Sequence, residues 1–124
     1  GQIVWGGPGI EGQHAYFQLL HQGKQVVPVS FYGVKTDKKD DEQSNFANRS
    51  LISQADALFH GDFQNNFLGK RPSNIFWLDN ISPKVLGALL SMHEHRIFVL
   101  SCIWDINPFD QPGVELGKKL LKNQ

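Results

Sequence analysis

The glycine-rich segment Gly6-Gly7-Pro8-Gly9-Ile10-Glu11-Gly12 leads directly into Gln13 and His14. The pattern predicts a loop that delivers both side chains to the first turn of a helix. Free backbone N–H groups and the positive dipole end favour an anionic or oxygen-rich ligand there, such as a sugar oxygen. An imidazole in that place exchanges protons near neutral pH, as general acid/base catalysis requires. The plainer reading is a polar helix-end histidine bonded to a backbone carbonyl. Near the other end of the chain, Gln111 and Lys118 stand seven residues apart. On one helix they share a face about two turns apart and can contact one ligand together. Taken alone, Lys118 also reads as a solvated partner of Glu115 at i,i+3.

Other motifs carry less. Gly7 to Gly12 matches G-x-G-x-x-G between a strand-like run and a helix, but a dinucleotide site also needs an acidic residue ending the next strand. Asp37 is the only candidate, and it falls in a loop. His60, His93 and His95 invite a metal reading, yet the pair flanking Glu94 offers two ligands and no third. Trp5, Trp77 and Trp104 sit in apolar runs and read as core. Cys102, the single cysteine, reads as a buried, inert thiol, and no disulfide framework is possible.

The elements that must position these residues alternate in type. Ile3 to Trp5 reads as a strand end, and Gln13 to Gln22 as a helix stopped by a left-handed Gly23. Val26 to Val34 is β-branched and aromatic, a strand with Pro28 at an edge or irregularity. A polar loop from Lys35 to Ser44 precedes an amphipathic helix from Phe46 to Phe59, carrying Leu51, Ile52, Ala55, Leu58 and Phe59, with Gly61 ending it. Ile75 to Leu78 reads as a buried strand. Ser82 and Pro83 open a helix through Met92, apolar on most sides and expected at the centre of the fold. Ile97 to Ile106 is either strand or buried helix. Asp110-Gln111-Pro112 starts a last helix. Alternating strands and helices imply a parallel sheet covered by helices.

At 124 residues the chain suits one compact domain, and 12 basic against 12 acidic residues leave no footprint of a nucleic-acid or membrane-surface partner. With no apolar stretch of membrane-spanning length and no signal-peptide pattern, an intracellular, soluble protein is expected. The abrupt opening on Gln2-Ile3-Val4-Trp5 suggests a fragment.

Together these segments resemble phosphoglucose isomerase over nearly the entire chain. Phe109-Asp110-Gln111-Pro112-Gly113-Val114-Glu115-Leu116-Gly117-Lys118 matches the family's C-terminal pattern [FY]-[DN]-Q-x-G-V-E-x-x-K without a mismatch. Gly12-Gln13-His14-Ala15, Lys70-Arg71-Pro72-Ser73-Asn74, Leu86-Gly87-Ala88-Leu89 and Glu94-His95-Arg96-Ile97-Phe98 follow in the family's order. The resemblance implies a three-layer α/β/α sandwich with a parallel sheet, of the sugar-isomerase domain type, spanning residues 1–124. It implies interconversion of glucose 6-phosphate and fructose 6-phosphate with no metal or cofactor, in a cytoplasmic homodimer. His14 matches the family's ring-opening histidine, which in family dimers reaches the neighbouring subunit's site. Lys118 matches the lysine beside it, and Gln111 a substrate-contacting glutamine. The glutamate that moves the proton between C1 and C2 has no match here, nor does the first domain, so the chain alone is expected to be inactive. Gly7, Ile10 and Glu11 depart from the family's usual loop. A non-catalytic sugar-phosphate-binding regulator on the same domain type is the alternative, and an NAD-binding oxidoreductase domain a third.

Overall fold

The computed structural model describes residues 6–35 and 41–122. The predicted strand at Ile3 to Trp5, along with Trp5 and Asp37, lies outside them. The chain divides into two compact units, one ending at Val85 and one from Leu86 onward.

In the first unit, helices α1 (Gly9–Ala15) and α2 (Phe17–Gln22) precede strand β1 (Val29–Val34), helix α3 (Glu42–His60) and strand β2 (Ser73–Leu78). The strands pair in parallel, from Val29 opposite Ser73 to Val34 opposite Leu78. A parallel pair needs a long crossover, and α3 provides it. Asp41 caps α3 by accepting from the Ser44 N–H at 3.0 Å, and Gly61 ends it at φ 69°, ψ −167°, a combination essentially reserved for glycine. The α/β class and the parallel sheet are those expected.

The core lies on the sheet face that carries Val29 and Phe31. Phe17 and Leu20 from α2 meet Leu58 from α3 there, with Tyr16 and Val27 at the margin. Phe31 meets Phe17 edge to face, ring centroids 6.3 Å apart. Leu58 is fully buried, a contribution of about 1.5–3 kcal/mol. Of the expected α3 stripe, Ala55 and Leu58 are buried while Ile52 and Phe59 are exposed. Strand β2 is half-buried rather than buried. Trp77 is 39% exposed, its ring lying over Gly33.

Three local expectations are corrected. The first helix begins at Gly9, not Gln13, and breaks at Tyr16 (φ −143°, ψ −1°) into two short helices. Gly23 is extended (φ −60°, ψ 145°) rather than left-handed. A left-handed cap serves to satisfy the last carbonyls of a helix, and here Arg71 does that. Strand β1 starts at Val29, after Pro28, whose missing N–H suits the position before a strand better than one within it.

The second unit contains most of helix α4 (Pro83–Trp104) and all of helix α5 (Pro112–Leu121). Ser82 caps α4 as expected, its Oγ accepting from the Val85 N–H at 3.4 Å. The Ile97 run resolves as helix and continues α4 to Trp104. Asp105 stops it at φ 54°, and the Ile106 N–H closes back on the Ser101 carbonyl at 3.0 Å, the six-to-one bond of a Schellman ending. Contrary to expectation α4 is not a buried central helix: Leu90, Ile97 and Ile103 are 64%, 60% and 69% exposed. Cys102 is exposed too, as is Trp104. An all-round apolar helix needs neighbours on every side, and residues 86–122 bring only one further helix. No described helix is long and apolar enough to cross a membrane.

Candidate functional site

His14 sits in the last turn of α1, exposed to solvent. The dipole expectation is therefore reversed: the C-terminal end of a helix carries the partial negative charge, so an anion gains nothing from α1 at His14. The glycines have a different use from the turn expected of them. Gly7, Gly9 and Gly12 are not among the glycines with positive φ. At Gly12 a Cβ would fall 2.5 Å from the Tyr16 Oη, so glycine there lets the tyrosine ring fold back against α1.

Among the described residues the His14 ring is bonded to no backbone carbonyl. Its Nε2 lies 3.4 Å from the Gln13 Nε2, and the Gln13 Oε1 accepts from the Gln54 Nε2 on α3 at 3.2 Å. A three-residue polar chain thus runs from α3 to the imidazole. Sequence reasoning missed Gln54, although one signal was present: it is a polar residue between Leu51 and Leu58 on the core-facing side of α3.

Gln111 and Lys118 belong to the second unit. Gln111 occupies the N-cap position of α5 without a side-chain capping bond, so its exposed amide is not tied to the helix end. Its backbone N–H donates to the Asp110 Oδ1 at 2.8 Å. Lys118 lies two turns on and pairs with Glu115 at 2.7 Å. Both partners are well exposed, and such a pair contributes little stability, leaving the ammonium available to an incoming oxygen. Pro112 at the first helical position stabilises the start of α5 at no hydrogen-bond cost.

Arg71, noted in the sequence only as part of Lys70-Arg71-Pro72, is 6% exposed. It donates to the carbonyls of His21 at 3.1 Å, Gly23 at 2.8 Å and Gln25 at 3.3 Å. It ties the start of β2 to the exit of α2 and so fixes the helix pair that carries His14. Beside it, the Nδ1 of His21 and the Nε of Arg71 are buried without partners. Burial, and then the guanidinium, hold His21 below the ordinary histidine range. Among the described residues no group of three or more His, Cys, Asp or Glu is placed to hold a metal ion.

Two cavities lie away from these side chains. One of about 430 Å³ runs along α3 past Glu42, Asn45 and Arg49, and an apolar one of about 210 Å³ sits between Ile97, Trp104 and Pro108. Neither holds His14, Gln111 or Lys118.

The phosphoglucose isomerase family profile matches residues 1–124. The glucose-6-phosphate isomerase of Albidiferax ferrireducens is 48% identical over 126 residues, covering 98% of this chain and 24% of that protein. Glucose-6-phosphate isomerase of Polaromonas naphthalenivorans is 46% identical, with 98% and 24% covered. Glucose-6-phosphate isomerase 1 of Chromohalobacter salexigens is 43% identical, with 97% and 23% covered. The chain thus spans about a quarter of the length of these relatives. With the family profile matched from end to end, the chain belongs to the phosphoglucose isomerase family.

Proposed function

We propose that this chain supplies the C-terminal part of a glucose-6-phosphate isomerase, which interconverts glucose 6-phosphate and fructose 6-phosphate in glycolysis and gluconeogenesis. The observation that carries this reading is the family match over the whole chain, joined to relatives that bear that enzyme's name. Those names also disfavour a non-catalytic regulator.

In this reading His14 and Lys118 are the acid/base pair of ring opening, and Gln111 orients the sugar. One group takes the anomeric hydroxyl proton while the other protonates the ring oxygen, and the bond between that oxygen and the anomeric carbon breaks. An exposed imidazole and an amine held only by a weak surface pair suit this exchange. Later proton transfer between C1 and C2 needs a further base, a glutamate in the family pattern that residues 1–124 do not match. The working enzyme is a cytoplasmic homodimer of sugar-isomerase domains in which His14 serves the neighbouring subunit's site.

The test replaces the matching quarter of the Albidiferax ferrireducens enzyme with this chain. The chimera should isomerise fructose 6-phosphate, and His14→Ala or Lys118→Ala should each lower kcat by roughly 10²- to 10⁴-fold, the usual contribution of a general acid or base. A chimera active with either alanine would refute the assignment of that residue.

A further inference from the structure

We propose that Gln54 is a positioning residue for His14, acting through Gln13 to set which imidazole nitrogen carries the proton. The proposal rests on the acid/base role given to His14 above for its catalytic meaning, but the geometry stands without that role. The Gln54 Nε2 donates to the Gln13 Oε1 at 3.2 Å. That bond turns the amide of Gln13 so that its Nε2 faces the Nε2 of His14 at 3.4 Å. An amide nitrogen only donates, so the facing His14 Nε2 is an acceptor and the ring proton sits on Nδ1. Gln54 is half-buried on α3, a 19-residue helix, whereas α1 is a seven-residue helix broken at Tyr16. The long helix therefore gives the short one an orientation it cannot hold alone. When a sugar hydroxyl displaces the Gln13 N–H, the lone pair it meets at Nε2 is what a general base needs, and a tautomer fixed in advance need not be selected at the moment of reaction.

The polarity of this relay makes the proposal testable by a variant of nearly equal size. A carboxylate at position 54 accepts and does not donate. In Gln54→Glu the Gln13 amide must therefore reverse, placing its Oε1 against His14 and moving the ring proton to Nε2. Gln54→Leu cuts the relay and leaves a mixture of tautomers. The ring nitrogens of His14 are read directly by long-range ¹H–¹⁵N correlation spectra of the ¹⁵N-labelled 124-residue chain above pH 7.5, with backbone amide spectra reporting the fold of each variant. Expected are an Nδ1–H ring in the wild type, an Nε2–H ring in Gln54→Glu and a mixture in Gln54→Leu. In the chimera, Gln54→Leu should lower kcat by roughly 10- to 100-fold with KM nearly unchanged, the scale of a misoriented catalytic group. Gln54→Glu should also shift the pH profile. A single tautomer common to the wild type and all folded variants would overturn the proposal, as would an Nε2–H ring in the wild type. Should Gln54→Glu not fold, Gln13→Ala must yield the same loss of tautomer preference as Gln54→Leu, and a preference kept in Gln13→Ala overturns it equally. If the tautomer follows residue 54 while His14→Ala leaves isomerisation intact, the positioning stands and the acid/base role of His14 falls.

Discussion

Replacing Arg71 by methionine should be the most damaging single change in the first unit. The guanidinium is buried and donates to three carbonyls, those of Gly23 at 2.8 Å, His21 at 3.1 Å and Gln25 at 3.3 Å. Hydrogen bonds from a charged group contribute about 1.5–3 kcal/mol each, and the two shorter ones count most. Against this stands the cost of burying a cation, so the three bonds do not simply add. Removing the cation leaves the carbonyls of His21, Gly23 and Gln25 without the donor that serves them. Net destabilisation of about 3–5 kcal/mol follows, the scale for breaking a buried charged arrangement. For a chain of this length total stability is roughly 6–18 kcal/mol, so the effect is large. With a urea m-value of about 2 kcal/mol/M, the midpoint should fall by about 2 M at unchanged m. Arg71→Lys, whose three donors sit on one nitrogen rather than on a planar fork, should fall between. A midpoint shift in Arg71→Met below about 0.5 M would mean that water already solvates these carbonyls and that the clamp is not structural.

The remaining predictions concern the same unit. His21 is held below its usual range by burial and then by Arg71, so in the folded state it resists the proton that the unfolded chain accepts. Its contribution is therefore full above the ordinary histidine value near 6.5 and is lost as pH falls through the depressed folded value. Urea midpoints at pH 7.5 and 5.5 should differ less in His21→Gln than in the wild type; an equal difference would contradict this. Gly33→Ala would place a Cβ 2.5 Å from the Trp77 ring, and thermal melts should show about 1–3 kcal/mol of overpacking. An unchanged melting temperature would show that Trp77 moves aside freely. Lys35 and Asp79 form a 2.6 Å pair between exposed side chains, and Lys35→Met should leave the melting temperature unchanged.

The legible parts of this fold were those set by local chemistry. Helix α3, Gly61 after it, Ser82 before Pro83 and the apolar run into β2 each follow from periodicity or capping, and each is present. What failed depended on contacts distant in sequence. Gly23 looked like a left-handed cap because nothing nearby reveals Arg71, 48 residues on, as the group that satisfies its carbonyl. The glycines before His14 looked like turn residues, whereas at Gly12 the constraint is the returning ring of Tyr16. Burial was overestimated for Cys102, Trp104 and α4 because an apolar sequence states a need for neighbours without supplying them. At the site, residue types and the family resemblance propose His14, Gln111 and Lys118. The Gln54 relay left only one trace in the sequence, a polar residue between Leu51 and Leu58, because it exists only where α3 passes α1.

Mixing inactive chimeras tests the central claim most directly. If His14 and Lys118 are partners in ring opening and His14 crosses the dimer interface, a His14→Ala subunit and a Lys118→Ala subunit together rebuild one intact site. The other site of that mixed dimer carries both lesions. Random reassociation of equal amounts makes half the dimers mixed, so isomerisation of fructose 6-phosphate should recover to about a quarter of the unmutated chimera's activity. Activity that stays at the level of the separate variants after verified subunit exchange would contradict the account.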